Sequence, residues 1–172
     1  MLTIWTVLCG LLAVIALANL ALLLGLVARM RVLETAAAAG APAQRLPELG
    51  RAIRPFELTT ATGEALDHQG LAGGTTLIGF FAAGCRKCAR VRSALIADPP
   101  ALPVVVMING DPDEPEARSM GTPLLGVGRV AYFEDLTVAR AFGVLGYPTL
   151  LRVEDGKIAA VGRDLDDVGA RA

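Results

Sequence analysis

The sequence contains few cysteines, histidines and aromatic side chains. Its 172 residues include three cysteines and one histidine, and 5% are aromatic. Because only one pair of cysteines is close in sequence, a fold held together by several disulfides is excluded. A closed zinc site needs four ligands, and beyond that pair the chain offers only Cys9 and His68. We therefore expect no metal and no bound cofactor, and we expect His68 to be a solvated loop residue.

A strong excess of charge of either sign is also absent. The formal net charge is -1, which gives no reason to expect binding to nucleic acid. The chain has no glycine-rich phosphate loop and no Ser-His-Asp set. One local basic cluster is present, without the interleaved aromatic side chains of a nucleic-acid surface: Arg86, Lys87, Arg90 and Arg92.

Charged side chains are missing altogether from residues 1–28, and Leu, Ala, Val and Ile dominate residues 8–27. About 20 apolar residues are enough to cross a bilayer as a helix. A cleaved signal peptide would have a basic start and a shorter apolar core of about 7–15 residues. We therefore predict that residues 1–28 form an uncleaved, single-pass transmembrane anchor in contact with membrane lipid, with Cys9 facing the lipid.

The charges that follow this anchor leave its orientation open. Arg29 and Arg31 come directly after the apolar segment, and the positive-inside rule would place the rest of the chain in the cytoplasm. Long domains, however, translocate largely regardless of nearby charge. The sequence pattern alone is compatible with either side of the membrane.

The rest of the chain reads as a linker and one globular domain. Residues 29–53 are rich in alanine and include Pro42 and Pro47, which predicts a linker before a domain at 54–172. Because strands and helices alternate and Asp155-Gly156 closes a hairpin, the predicted fold class is α/β with a central mixed sheet. Strands are predicted at 56–58, 64–66, 76–83, 102–108, 130–133, 150–153 and 158–161, and helices at 85–97, within 115–128 and at 137–142.

The two close cysteines fall at the junction between a predicted strand and a predicted helix. The apolar run 76–83 ends just before Cys85, and Cys88 lies one helical turn further on. Unpaired N–H groups and the positive end of the helix dipole favour an anion at Cys85, so its thiolate should be stabilised. Cys88 is placed to resolve a mixed disulfide formed at Cys85. A strand that delivers Cys-x-x-Cys to a helix start is typical of thioredoxin-like redox proteins.

An alternative interpretation is that both cysteines are inert thiols of the core, since free cysteine is often buried. The residues between them argue against it. Arg86 and Lys87 make the surroundings cationic, as at sites where the pKa of a cysteine is lowered. We therefore interpret Arg86 and Lys87 as residues that tune the pKa of Cys85.

Taken together, the motifs of residues 54–162 resemble the TlpA/ResA and MauD-type branch of membrane-anchored thioredoxin-like proteins. Cys-x-x-Cys alone is a weak signal, whereas its combination with a later Gly-Tyr-Pro-Thr is a strong one. The motifs that carry the resemblance are Phe56-x-Leu58 with Gly63, Cys85-Arg-Lys-Cys88, Phe142-Gly-Val-Leu-Gly-Tyr-Pro148-Thr149 and the turn Asp155-Gly156.

The resemblance implies a thioredoxin-like three-layer sandwich, behind one N-terminal transmembrane helix, in a domain outside the cytoplasm, in the periplasm or at the cell surface. It implies a cis bond before Pro148, which should face Cys85 and Cys88, and client binding by Tyr147, Pro148 and Thr149. The implied activity is thiol-disulfide exchange with exported client proteins and a redox partner protein. Cytochrome c maturation and assembly of an extracytoplasmic enzyme are examples of such a role.

Three positions depart from the family pattern. Gly84 replaces the usual aromatic residue before the first cysteine, Gly79 stands where thioredoxin has a buried Asp, and Val91 stands where the ResA type has a Glu. Proton transfer to and from Cys88 would then depend on water. The missing acids favour a second hypothesis, in which the domain is a binding module or chaperone with little or no redox turnover.

Overall fold

The computed structural model describes Asn19 and residues 46–170. The predicted anchor, apart from Asn19, and most of the predicted linker lie outside these residues. Within the part of the chain that is described, no helix is long and apolar enough to cross a membrane. The transmembrane anchor therefore stays a prediction.

The domain is built on a five-stranded mixed sheet with strand order β5-β4-β3-β6-β7. Strands β3, β4 and β5 are parallel, β6 pairs antiparallel with β3, and β7 pairs antiparallel with β6. A separate hairpin of β1 and β2 precedes the sheet. The strands are β1 (Glu57–Thr59), β2 (Ala65–Asp67), β3 (Thr75–Ala82), β4 (Val104–Asn109), β5 (Arg129–Phe133), β6 (Thr149–Glu154) and β7 (Lys157–Gly162). The helices are α1 (Arg86–Ala97), α2 (Pro115–Gly121) and α3 (Leu136–Ala141).

Both faces of the sheet are covered, which confirms the predicted three layers. Alternate side chains of β3 point to opposite faces, as the period of a strand requires. Phe80 belongs to a core with α3 and the β1–β2 hairpin, whereas Phe81 belongs to a core with α1 and α2. This double burial explains why β3 and β4 read as near-continuous apolar runs.

The strands and helices predicted between residues 56 and 161 are all present, with ends that differ by one or two residues, as is usual for element boundaries. Residues 50–53, which the sequence pattern assigns to the linker, lie along the β6–β7 hairpin. The N–H of Gly50 donates to the Ile158 carbonyl at 2.8 Å, and the N–H of Ile53 donates to the Gly156 carbonyl at 3.0 Å. The ordered backbone contacts of the domain therefore begin before residue 54.

Candidate active site

Cys85 lies where β3 turns into α1, as the sequence predicts. Gly84 makes the turn with a φ of 69°, a left-handed conformation that suits glycine because it has no Cβ. Cys85 is the N-cap residue of α1, and its Sγ accepts the Cys88 N–H at 3.2 Å. The aromatic residue that the family resemblance leads us to expect at position 84 would be strained in this turn. The left-handed backbone therefore explains why glycine suits this position.

Cys85 and Cys88 form a disulfide, with their Cα atoms 5.2 Å apart. The two sulfur-bearing residues differ in access to solvent. Cys85 is partly exposed, whereas Cys88 is 0% exposed. Since exchange depends on which sulfur can be approached, an external thiolate can reach the disulfide at Cys85. The roles that the sequence predicts for them, nucleophile for Cys85 and resolving thiol for Cys88, stay predictions.

The start of α1 is positively charged on its exposed side. Arg86 and Lys87 are both exposed in its first turn, and that turn contains no acidic residue. Arg92, one turn further on, points its guanidinium to the Ser119 carbonyl at 2.6 Å. The basic cluster is therefore divided between residues beside the disulfide and one that contacts α2.

Pro148 follows a cis peptide bond after Tyr147 and lies beside α1. It is buried, yet it contributes to the wall of an open groove of about 230 Å³, which we call the Pro148 groove. The groove is lined by Lys87, Arg90, Val91, Pro148, Arg163 and Asp164. The fold thus brings Pro148 next to the helix that carries both cysteines.

The other two residues predicted to bind a client are placed differently. Thr149 is 2% exposed, and its hydroxyl donates to the Gly146 carbonyl at 2.7 Å. Its side chain therefore holds the loop before β6, and a client could use only its backbone. Tyr147 is partly buried, and Leu145 before it is 66% exposed, which gives the loop an apolar tip.

Asn109, at the carboxyl end of β4, connects the turn before Cys85 with the loop before Pro148. It was not identified from the sequence. Its side-chain N–H donates to the Tyr147 hydroxyl at 3.0 Å, and its carbonyl accepts the Ala83 N–H at 3.0 Å. Burial raises the pKa of Tyr147, and the hydrogen bond from Asn109 opposes this shift. A polar residue directly after an apolar strand was the available signal, because strand ends often carry sites.

The surroundings of Cys88 are apolar. Among the described residues, the buried polar side chains are those of Thr60, Thr76 and Thr149, and no carboxylate is buried. A Cβ at Gly79 would lie 3.3 Å from Leu150 Cδ2, so this position is closely packed by hydrocarbon. Val91 is 4% exposed and borders the Pro148 groove. Proton exchange with Cys88 therefore has no buried acid within the described part of the chain.

The described residues also offer no obvious place for a metal. Within residues 46–170 and Asn19, no group of three or more His, Cys, Asp or Glu side chains is arranged to hold a metal ion. His68 caps a short 3-10 turn without a side-chain hydrogen bond to it, and its Nδ1 atom is buried without a hydrogen-bond partner. The prediction that His68 is simply solvated is therefore wrong for this atom.

No protein-family model and no curated protein matches the chain, but solved structures do. The thioredoxin domain of a thiol-disulfide oxidoreductase from Bacteroides vulgatus has 18% identity and a TM-score of 0.58, over 70% of this chain and 92% of its own. A thio-disulfide isomerase from Thermus thermophilus has 22% identity and a TM-score of 0.55, over 68% and 87%. An uncharacterized conserved protein from Geobacillus kaustophilus has 24% identity and a TM-score of 0.50, over 67% and 68%.

These similarities establish a thioredoxin-like fold for the described domain. The highest of the three identities is 24%, so the similarities show the fold and do not show an activity. The described domain therefore has a thioredoxin-like fold, with a Cys-x-x-Cys disulfide at the start of α1 and a cis-proline loop beside that helix.

Proposed function

We propose that the chain is a membrane-anchored thiol-disulfide oxidoreductase that acts on cysteines of exported proteins. The observation that carries the proposal is the partly exposed Cys85, at the N-cap of α1, in a disulfide with the fully buried Cys88. The names of two structural neighbours describe the same chemistry for those proteins. Cys85 is the nucleophile in this proposal and Cys88 is the resolving thiol.

In the reducing direction, the Cys85 thiolate attacks one sulfur of a client disulfide. The client S–S bond breaks, a bond forms between Cys85 and the client, and the other client sulfur leaves as a thiolate that takes a proton from water. Cys88 then loses its proton and attacks the Cys85 sulfur. The second client thiolate leaves, and Cys85 and Cys88 are joined again, so two electrons have passed to the client.

In the oxidising direction the same steps run in reverse. A client thiolate attacks Cys85 in the disulfide, Cys88 leaves as a thiolate, and a second client thiol releases Cys85. A redox partner protein then restores the starting state of the cysteine pair. The positive first turn of α1 favours Cys85 as a thiolate leaving group or nucleophile in both directions.

The client is proposed to bind as an extended segment along the loop before β6. The backbone of Tyr147 supplies hydrogen bonds to the client chain, Pro148 forms the surface under it, and the backbone of Thr149 continues the edge. The 66% exposed side chain of Leu145 offers an apolar contact at one end. This arrangement adds a strand-like segment to the protein, a common mode of peptide recognition.

Residues 1–28 are proposed to anchor the chain in the membrane, with the thioredoxin-like domain in the periplasm or at the cell surface. Support comes from the uncharged apolar segment and from the resemblance to membrane-anchored thioredoxin-like proteins. Disulfide exchange on exported clients also fits an oxidising compartment, where disulfides persist.

Turnover and trapping with the full-length chain in detergent micelles test the proposal. The native chain should catalyse reduction of insulin by dithiothreitol, and Cys85→Ser should abolish this catalysis. Cys88→Ser should accumulate a mixed disulfide with clients, because the resolving step is lost. Failure of the native chain to accelerate insulin reduction, together with no trapped client, would rule out the enzyme.

Among residues 46–170 no acid is buried near Cys88, which favours a second candidate, a thioredoxin-fold binding module or chaperone with little turnover. Cys85 and Cys88 can be replaced together by serine to distinguish it. Client binding that survives the double replacement, in a chain without insulin reductase activity, would support the module. Loss of client capture in the double variant supports the oxidoreductase.

A further inference from the structure

We infer that Arg51 is a positioning residue for client binding, because it holds the start of the loop that leads to Pro148. This inference rests on the proposed thiol-disulfide exchange and on the proposed use of that loop by clients. The sequence pattern assigns Arg51 to the linker. In the structure its guanidinium instead lies between the end of α3 and Gly143, the first residue of the loop.

The backbone around Arg51 is fixed by the edge of the sheet. The carbonyl of Arg51 accepts the Ile158 N–H at 3.0 Å, and the N–H of Gly50 donates to the Ile158 carbonyl at 2.8 Å. Further along, the N–H of Ile53 donates to the Gly156 carbonyl at 3.0 Å. Hydrogen bonds on both sides of Arg51 therefore hold its backbone beside β7, and its side chain starts from a defined position.

The side chain of Arg51 reaches the carboxyl end of α3. Its Nη2 donates to the Arg140 carbonyl at 3.4 Å, and the backbone N–H of Arg54 donates to the Ala141 carbonyl at 3.2 Å. The last carbonyls of a helix have no partner within the helix. A basic side chain there satisfies one of them and interacts favourably with the helix dipole. The segment before β1 thus closes the end of α3.

The same guanidinium lies against the turn in which the chain leaves α3. Gly143 has a φ of 74°, and a Cβ on this residue would lie 2.7 Å from Nη1 of Arg51. The N–H of Gly143 donates to the Arg140 carbonyl at 3.0 Å, so Arg51 and Gly143 share one acceptor. A side chain at position 143 would therefore displace the guanidinium from this turn.

Few residues separate this turn from Pro148. Val144 is 3% exposed, and its N–H donates at 2.8 Å to a carbonyl of α3. At the other end of the loop, the Gly146 carbonyl accepts the Thr149 hydroxyl at 2.7 Å. Leu145 is the residue between these two fixed points. The direction in which the chain leaves α3 therefore decides where Leu145 and the backbone before Pro148 lie.

Arg51→Gln in the full-length chain, in detergent micelles, tests this role. With dithiothreitol as the reductant, the KM for insulin should rise by about 2–5-fold, as expected for one partly exposed hydrogen bond, and kcat should stay within about 2-fold of the native value. The rate of exchange with bis(2-hydroxyethyl) disulfide should not change, because this small disulfide reaches Cys85 without binding along the loop. Circular dichroism checks that each variant is folded under the assay conditions.

Arg54→Gln is the matched control. Arg54 is exposed in the same segment, and it bonds to α3 through its backbone N–H, which the substitution keeps. The control removes the same charge and should leave the KM for insulin unchanged. An equal rise of KM in both variants, or no rise in Arg51→Gln, would overturn the positioning role. So would an equal loss of exchange with the small disulfide in Arg51→Gln.

These outcomes are separate from failure of the proposed function. A native chain that reduces insulin, with an Arg51→Gln variant that does the same at an unchanged KM, would overturn the positioning role and leave the oxidoreductase intact. A native chain that reduces neither insulin nor the small disulfide would overturn the oxidoreductase itself.

Gly143→Ala tests the contact from the other side. Its Cβ would take the place of Nη1 of Arg51, so this variant should also raise the KM for insulin. In this background Arg51→Gln should add less than about 1.5-fold, because the contact can be lost only once. Two effects that multiply independently would contradict the contact. If alanine at this positive φ prevents folding, the comparison of Arg51→Gln with Arg54→Gln decides.

Discussion

Removal of the Tyr147 hydroxyl tests whether Asn109 holds the loop before Pro148. The Asn109 side-chain N–H donates to the Tyr147 oxygen at 3.0 Å, and both residues are partly buried. Such a hydrogen bond contributes roughly 0.5–1.5 kcal/mol net, because water competes for both groups in the unfolded chain. We expect Tyr147→Phe and Asn109→Leu each to lower the free energy of unfolding by about 1 kcal/mol, a roughly 5-fold change in the equilibrium.

A double-mutant cycle separates this bond from the other effects of each substitution. The double variant should lose about 1 kcal/mol less than the sum of the single variants, because the bond can be lost only once. Denaturant unfolding of the full-length chain in micelles, followed by circular dichroism, measures the three free energies. Insulin reduction measured on the same samples should fall in the same variants, since the loop that is proposed to contact the client is loosened.

Tyr132→Phe is the control for this cycle. Tyr132 is the other tyrosine of the chain, and its hydroxyl lies over Gly121. It should show no coupling to Asn109→Leu. Additivity of Tyr147→Phe and Asn109→Leu within about 0.3 kcal/mol would refute the view that this bond joins the two halves of the site.

The same bond has a consequence at alkaline pH. The pKa of Tyr147 is raised above its ordinary value of 10.0, chiefly by burial, with the Asn109 bond acting in the opposite direction. The folded state thus keeps a proton that the unfolded state loses, and stability should fall as the pH rises from about 10 through the folded-state pKa. Asn109→Leu removes a donor that favours the phenolate and should raise the pKa of Tyr147 further. Ultraviolet absorbance titration would contradict this by finding a lower value.

Three further predictions follow from other parts of the chain. The pKa of reduced Cys85 should lie below about 8.5, the free-thiol value, and the redox potential of the cysteine pair should lie above about −270 mV. Alkylation rates against pH test the pKa, and glutathione equilibration tests the potential. An unshifted pKa would contradict the role of Arg86 and Lys87. A reporter fused to the C-terminus should show that this end of the chain lies outside the cytoplasm. A reporter fusion that is active only in the cytoplasm would contradict the proposed orientation. Hydrogen bonds from the backbone N–H groups of Arg163 and Asp164 hold the pKa of Asp167 low. The stability that they provide should therefore be lost as the pH falls through that pKa. Acid unfolding should be less steep in Asp167→Asn.

Local periodicity was sufficient to predict the elements and the cysteine junction. The apolar run of β3 is buried on both faces, so its sequence shows where it begins and ends. The same holds for β4. The N-cap position of Cys85 follows from the small residues before it and from the helical spacing after it. The cis bond before Pro148 came instead from the resemblance, since an X–Pro bond is trans in most folded proteins.

Contacts between distant segments were beyond the reach of the sequence. Asn109 and Tyr147 are brought together by the order of β4, β3 and β6 in the sheet, which no local pattern specifies. The buried Nδ1 of His68 depends in the same way on how the loop after β2 packs. Spacing along one helix, by contrast, correctly placed Cys88 one helical turn after Cys85.

The place of Arg163 in the lining of the Pro148 groove depends on an irregularity in the β6–β7 hairpin. Glu154 faces Lys157 next to the turn, and a regular hairpin would then place Leu150 opposite Val161. A bulge between Arg152 and Val153 shifts the register, so that Leu150 faces Gly162 instead. Because side chains alternate between faces, a shift of one residue reverses which of them point to a given side. The sequence marks the turn at Asp155-Gly156 but not the bulge, and the bulge decides which residue after β7 reaches the groove.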